Sequence, residues 1–218
     1  MHVPDGFVPV TVSAAGYAVT GAITWYSLRQ INKSPNPRAQ VPKASLLTAA
    51  FFVSSLIHIP VPPTSVHLVF SGLMGVLLGW YAFPAILIGL LFQAIMFQHG
   101  GLTTLGVNAI VLGSPALLAN LIFSLARRKS NRSNLWDGAF AFIAGGLGVG
   151  LAVLFFYSVM INSIPGDLNV AAERAAITTL SLAHAPLIIV EGLVTALLVI
   201  YLKRVKPELL GGLHEARA

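Results

Sequence analysis

The first seven residues, Met1-His2-Val3-Pro4-Asp5-Gly6-Phe7, place an amine, an amide and an imidazole side by side. The amine of Met1, the amide nitrogen of His2 and Nδ1 of the same His2 can all reach one metal ion. Amine to amide closes a five-membered ring, and amide to Nδ1 a six-membered one. Neither ring is strained, so the three nitrogens form a flat clamp once the amide loses its proton. A flat nitrogen set suits Ni(II) or Cu(II), and less exclusively Co(II), whereas Mg and Ca want oxygen. A fourth ligand has to come from elsewhere in the chain. The clamp requires Met1 to stay, and the bulk of His2 disfavours removal of an initiator methionine. The competing reading is a frayed terminus in which His2 does nothing. Val3-Pro4-Asp5-Gly6 weighs against fraying, because Pro second and Gly fourth in a four-residue window is type I turn chemistry.

The elements that must position such a clamp lie in a membrane. The 218 residues are 56% hydrophobic and 9% charged, with a mean hydropathy of +0.82. A soluble domain carries about 25% charged residues. Lipid offers exposed backbone groups no partner, so long apolar runs there are helices. The expected fold is all-α: one integral membrane domain over residues 1–218, with 1–6 as a metal-binding segment and 203–218 as a cytoplasmic tail. Cysteine is absent, which excludes disulfides and thiolate ligands. Residues 1–6 lack the basic start of a signal peptide. The formal charge of +6 reports which way the loops face, and no nucleic-acid partner is expected.

Seven membrane segments are expected: Phe7–Leu28, Ala44–His58, Thr64–Gly79, Trp80–Gln98, Leu105–Ala126, Trp136–Ile161 and Ile177–Leu202. The second and third are shorter than the ~20 residues a straight span needs. Tilt, burial, or kinks at Pro60, Pro62 and Pro63 would accommodate them. Twelve of the thirteen Lys and Arg fall in three regions. These are Arg29, Lys33, Arg38 and Lys43; Arg127, Arg128, Lys129 and Arg132; and Lys203, Arg204, Lys206 and Arg217. Seven spans put all three on the cytoplasmic side, with the N-terminus outside and the C-terminus inside. Only Arg174 lies opposite. His2, His58, His67, His99 and His184 then share the outer half, and His214 alone is cytoplasmic.

His67 is the natural fourth ligand, since an imidazole at membrane depth is costly unless used. The alternative is a histidine bonded to a neighbouring helix. Asp5 could accept a hydrogen bond from Nε2–H of His2, as carboxylates behind metal-binding histidines do, or simply bond its own turn. Asp5, Ser65 and Asn108 are the candidates for supporting the ligands from behind. Asn108 and Gln93 otherwise serve as polar glue between helices. His58 and His99 are solvated loop ends or gather metal at the mouth.

The terminal motif Met1-His2-Val3-Pro4-Asp5-Gly6-Phe7, with Thr64-Ser65-Val66-His67, resembles the CbiM/NikM family. These are the substrate-binding membrane subunits of energy-coupling-factor transporters for cobalt and nickel. Gly100-Gly101-Leu102-Thr103-Thr104-Leu105-Gly106-Val107-Asn108 is similar to the glycine-rich segment of that family. The resemblance implies metal ligation by the amine of Met1, the amide and imidazole of His2, and His67. It implies nickel or cobalt as the imported ion, and a prokaryotic cell (inner) membrane location. It also implies a transmembrane scaffold subunit, two ATPase subunits and a small accessory membrane subunit as partners. The chain has no Gly-x-x-x-x-Gly-Lys-Ser/Thr phosphate loop of its own.

Two other functional classes have residues to be set against this one. His184 and Glu191 are seven residues apart and share one face of a helix, the arrangement of a proton relay in a proton-coupled carrier. An enzyme is not expected: neither a His-Glu-x-x-His helix nor a Gly-x-Ser-x-Gly elbow occurs. Ala14 and Ala18, and Ser45 and Ala49, are small residues four apart, fit for close helix contact or partner docking.

Overall fold

A computed structural model describes residues 1–62, 64–127 and 133–210. The architecture is mostly helical. Helix α1 (Val10–Ile31) and the short α2 (Val41–Ser54) precede strands β1 (His58–Val61) and β2 (Thr64–His67). Then follow α3 (Ser71–Leu78), a 3-10 turn at Gly79–Tyr81, α4 (Ala82–Phe97), α5 (Leu105–Arg127), α6 (Asn134–Asn162), α7 (Val170–Ala183) and α8 (Ala185–Val205). The Ser133 hydroxyl accepts from the Trp136 N–H to start α6, and the Asn169 side chain accepts from Ala171 and Ala172 to start α7. Both are favoured N-cap residues. α5 is central: it packs against α1, α3, α4 and α6, and α6 packs along α8.

Among the described residues, four stretches are long and apolar enough to cross a membrane by length and composition: Ser71–Phe97, Leu105–Arg127, Asn134–Asn162 and Val170–Val205, of which the first and last each join two helices. Large apolar side chains stand exposed at helical spacing, such as Ile88, Phe92 and Ile95 on α4 and Ile189, Leu193 and Leu197 on α8. Water would penalise such a surface and lipid does not. The helix contacts use small residues instead. A Cβ on Gly72 would meet the backbone of Ala144 and Gly145 at 2.5 Å. A Cβ on Gly16 would meet Val107 Cγ2 at 2.6 Å, and the Thr20 hydroxyl donates to the Gly106 carbonyl at 2.7 Å. Ala14, Ala18, Ser45 and Ala49 are all exposed, so the close contact of α1 runs through Gly16 and Thr20.

Three expectations from the sequence need correction. First, the fold is not wholly α. The end of the expected second segment and the start of the third form an antiparallel hairpin, with His58 opposite His67 and Ile59 opposite Val66. Pro60 and Pro62 each remove a backbone donor and push the preceding β-branched residue into extended conformation, so a helix cannot continue there. Pro63 lies outside the described residues. Second, the expected seventh segment begins earlier, at Val170, and breaks at His184. Pro186 in the first turn of α8 cannot supply the donor that a continuous helix needs. Third, α3 has only eight residues and spans about 12 Å. Strand β2 supplies the rest of that passage. α4 then returns antiparallel to α3, since Gln93 and His99 near its far end meet the same histidines that precede α3. Arg128, Lys129, Arg132, His214 and Arg217 lie outside the described residues.

Candidate metal centre

The first three residues, Met1 to Val3, are seated in the interior of the bundle, and Pro4, Asp5 and Gly6 are exposed. Met1 is 6% exposed and Val3 fully buried, both within the main apolar core beside Val66, Met74 and Leu112. Val3 is gripped through its backbone. Its N–H donates to Asn108 Oδ1 at 2.8 Å, while its carbonyl accepts from Asn108 Nδ2 at 3.0 Å and from the Thr104 hydroxyl at 2.7 Å. A second anchor lies two residues on. Asp5 accepts from the N–H groups of Leu102 and Thr103 at 3.1 and 2.9 Å and from the Thr103 hydroxyl at 2.5 Å. A Cβ on Gly101 would collide with the Asp5 carboxylate, so only glycine lets the two segments approach this closely. The turn closes between the Pro4 carbonyl and the Phe7 N–H, one residue later than expected, with Gly6 at φ +78° in its third position. Positive φ there suits glycine.

These anchors point two imidazole lone pairs at one place. His67 Nδ1–H donates to the Leu68 carbonyl at 3.0 Å. Its Nε2 therefore carries the lone pair, and it sits 2.7 Å from the Met1 amine. His2 Nε2–H donates to Gln93 Oε1 at 3.0 Å, which leaves the lone pair on Nδ1. That Nδ1 is buried without a partner, as is Nε2 of His184, whose Nδ1–H donates to the Leu180 carbonyl at 2.8 Å. Burying an unsatisfied polar atom costs about 1–3 kcal/mol, so such a pair is out of place in a purely structural interior.

Burial holds the nitrogens uncharged. It lowers the Met1 amine from 8.0 to about 5. It pushes His2 well below its ordinary value, with the amine and the other imidazoles adding to the shift. His99 falls to about 4 through burial and then the amine charge. At neutral pH these groups present lone pairs rather than protons. The Thr103 hydroxyl, helped by backbone N–H groups, holds the exposed Asp5 below its usual carboxylate value.

Met1, His2 and His67 thus come together, and so do histidines from three other places in the chain. The His99 ring lies edge-on to His2 at 4.2 Å and 5.3 Å from His67. His58 is 5.9 Å from His67, and His184 is 6.5 Å from it. Ligand nitrogens of His2, His67 and His99 all lie within 4.8 Å of one another. Asp5 does not meet His2: its oxygens are taken by residues 102–103, and Gln93 fills the place expected of it. Asn108 supports the site by holding Val3 rather than a ligand ring. Ser65 is exposed and paired with Pro60 in the hairpin. His184 and Glu191 make no hydrogen bond to each other; the Glu191 carboxylate accepts from the N–H groups of Val69 and Phe70, at 2.7 Å for Phe70, at the start of α3. Gln93, expected as glue between helices with a site role as the alternative, orients His2, and Thr104, quoted above only within the glycine-rich segment, holds the Val3 carbonyl. A lone amide inside the apolar run of α4 was the available signal for Gln93.

Comparison with known proteins gives this geometry a context. Residues 2–209 match the family CbiM, described as a cobalt uptake substrate-specific transmembrane region. The chain belongs to the CbiM family. A putative metal transport protein of Haemophilus influenzae is 33% identical over 212 residues, covering 96% of this chain and 97% of the relative. A fused nickel transport protein NikMN of Rhodobacter capsulatus is 33% identical, covering 96% of this chain and 64% of the relative. A putative cobalt transport protein CbiM 1 of Methanocorpusculum labreanum is 31% identical over 96% of this chain and 92% of the relative. A crystal structure of a transition metal transporter superposes with a TM-score of 0.75 at 22% identity over all of both chains, showing the same fold. This CbiM-family chain is therefore a transmembrane metal transport component of the cobalt and nickel class, and not an enzyme.

Proposed function

We propose that this chain binds Ni(II) or Co(II) as the substrate-specific subunit of an energy-coupling-factor importer in a prokaryotic cell membrane. The ion is held by the Met1 amine, the deprotonated His2 amide, His2 Nδ1 and His67 Nε2. One observation carries the reading: Met1 N lies 2.7 Å from His67 Nε2. Metal–nitrogen bonds of about 2.0 Å at right angles put adjacent nitrogens about 2.8 Å apart. In a planar set built on this clamp, the amide sits opposite His67 and the amine beside it. The amine–imidazole spacing already present is the spacing of neighbours in that plane. The unpartnered His2 Nδ1 supplies the next corner.

The chain crosses the membrane seven times, with the clamp opening outward and the C-terminus in the cytoplasm. Energy comes from two ATPase subunits coupled through a transmembrane scaffold subunit. A small accessory membrane subunit completes the assembly, and the fused nickel relative, longer than this chain, fits such a membrane partner. Nothing in the geometry favours the proton-coupled alternative, since Glu191 is engaged with backbone rather than with His184. The test is metal content after purification with the natural terminus, beside a chain carrying one extra residue before Met1. The extended chain is expected to lose its nickel and cobalt. Equal occupancy in the two would reject the clamp.

A further inference from the structure

The planar set uses four nitrogens and leaves out two imidazoles that stand against it. His58 is exposed, His99 half-buried and His67 buried. Their rings form a continuous series: His58 to His99 5.8 Å, His58 to His67 5.9 Å, His99 to His67 5.3 Å, and His99 to His2 4.2 Å. His58 donates Nδ1–H to the Leu56 carbonyl at 3.1 Å, so its Nε2 keeps the lone pair. Hairpin register sets this in place, because His58 and His67 are cross-strand partners. His99 is held from behind by its backbone N–H, which donates to the Gln93 carbonyl at 3.1 Å. Gln93 is the residue that orients His2.

We propose, building on the clamp reading above, that His99 joins His2 and His67 in a second, imidazole-only metal station. It receives the ion before the clamp closes, with His58 as the first contact at the mouth. The ion held there is a borderline divalent cation of the Co(II), Ni(II) or Zn(II) type, which imidazole suits. An ion bonded to three imidazoles at about 2.0–2.1 Å needs their nitrogens roughly 3.3 Å apart. The three lie within 4.8 Å of one another, so rotation of side chains by about 1.5 Å closes the set. Closing the clamp demands more. The Met1 amine must turn from His67 to the metal, and the His2 amide must release its proton. An ion arriving from solution therefore meets ready lone pairs on His58 and His99 first, and the flat set second. His2 and His67 belong to both sets, so the ion transfers without being released.

The experiment follows Co(II) binding by rapid mixing with the purified full chain. The visible spectrum of imidazole-bound Co(II) is expected first and the flat-site spectrum second. His99→Phe keeps the ring contact with His2 but removes the ligand; His99→Gln keeps polarity. Both are expected to lose the early species and to slow association about tenfold, with the dissociation rate unmoved. An early species and association rate equal to the natural chain in both variants would overturn the station. Should neither variant fold, His58→Phe reads the same route: slower association supports it and an unchanged rate rejects it. A chain extended before Met1 separates the two readings. It is expected to lose the final spectrum and keep the His99-dependent early one. A final spectrum that survives extension removes the clamp, whereas an early species independent of His99 removes only this station.

Discussion

At the end of the bundle away from Met1, Lys203 pairs with Asp137 at 2.7 Å, Arg127 donates to the Val76 carbonyl at 2.9 Å, and Lys43 donates to the Leu209 carbonyl at 3.0 Å. At the end that holds Met1, polar side chains are as deeply buried, but what is left over there includes imidazole nitrogens, whereas toward the other end it includes hydroxyls such as that of Ser27. His2 Nδ1, His184 Nε2 and Gln93 Nε2 are buried without partners. The first end pairs charge with charge or carbonyl and ties helix ends together. The second is arranged so that each imidazole's bond fixes its tautomer and leaves the other ring nitrogen with the lone pair. Neither buried polarity nor a buried hydroxyl without a partner therefore marks a site; what marks it is an imidazole oriented by one bond with its other nitrogen left open.

Removing a lone pair is the harshest way to break this contrast. His67→Ala is expected to lower nickel or cobalt affinity at least about a hundredfold in titration calorimetry. A change within threefold would make the two ends equivalent. Asn108→Leu tests orientation without touching a ligand. It removes both side-chain bonds to Val3 and is expected to cost about ten- to a hundredfold in affinity. Unaltered affinity would mean that His2 is placed by packing alone. Lys203→Ala tests the other end. Asp137 is 4% exposed and Lys203 27%, so the loss should fall below the 3–5 kcal/mol of a fully buried pair, at about 2 kcal/mol. It would be read as a lower melting temperature at undiminished metal affinity. A parallel fall in affinity would show that the ends are coupled.

Legibility in the sequence followed the range of each interaction. α5 and α6 lie within two residues of their expected bounds, because uninterrupted apolar runs report directly on lipid-facing helices. The hairpin was hidden because its prolines read equally as helix kinks, and the break at His184 because Pro186 sits inside an apolar run. Within the candidate site, Met1 and His2 could be singled out because the proposed chelate lies in adjacent residues. Gln93, Thr104 and Asp5's true partners could not. Their bonds join positions 91, 101 and 97 residues apart, and no local pattern encodes such pairing.

Proton release offers the smallest and most specific measurement. An amine with its ordinary value of 8.0 would carry a proton at pH 7, and binding metal would expel it together with the His2 amide proton. Affinity would then rise about a hundredfold per pH unit. Burial lowers this amine to about 5, so at pH 7 it is already neutral. A depressed value favours the uncharged, seated terminus: that contribution to stability is full above pH 8.0 and is lost as pH falls through about 5. Between about pH 6 and 8 only the amide proton remains to leave, and affinity should rise about tenfold per unit. Calorimetry in buffers of different ionisation enthalpy counts the protons directly. One released per ion is the signature of a terminus seated before metal arrives. Two would mean that Met1 waits in water, and that the oriented end of the bundle is assembled by the ion rather than prepared for it.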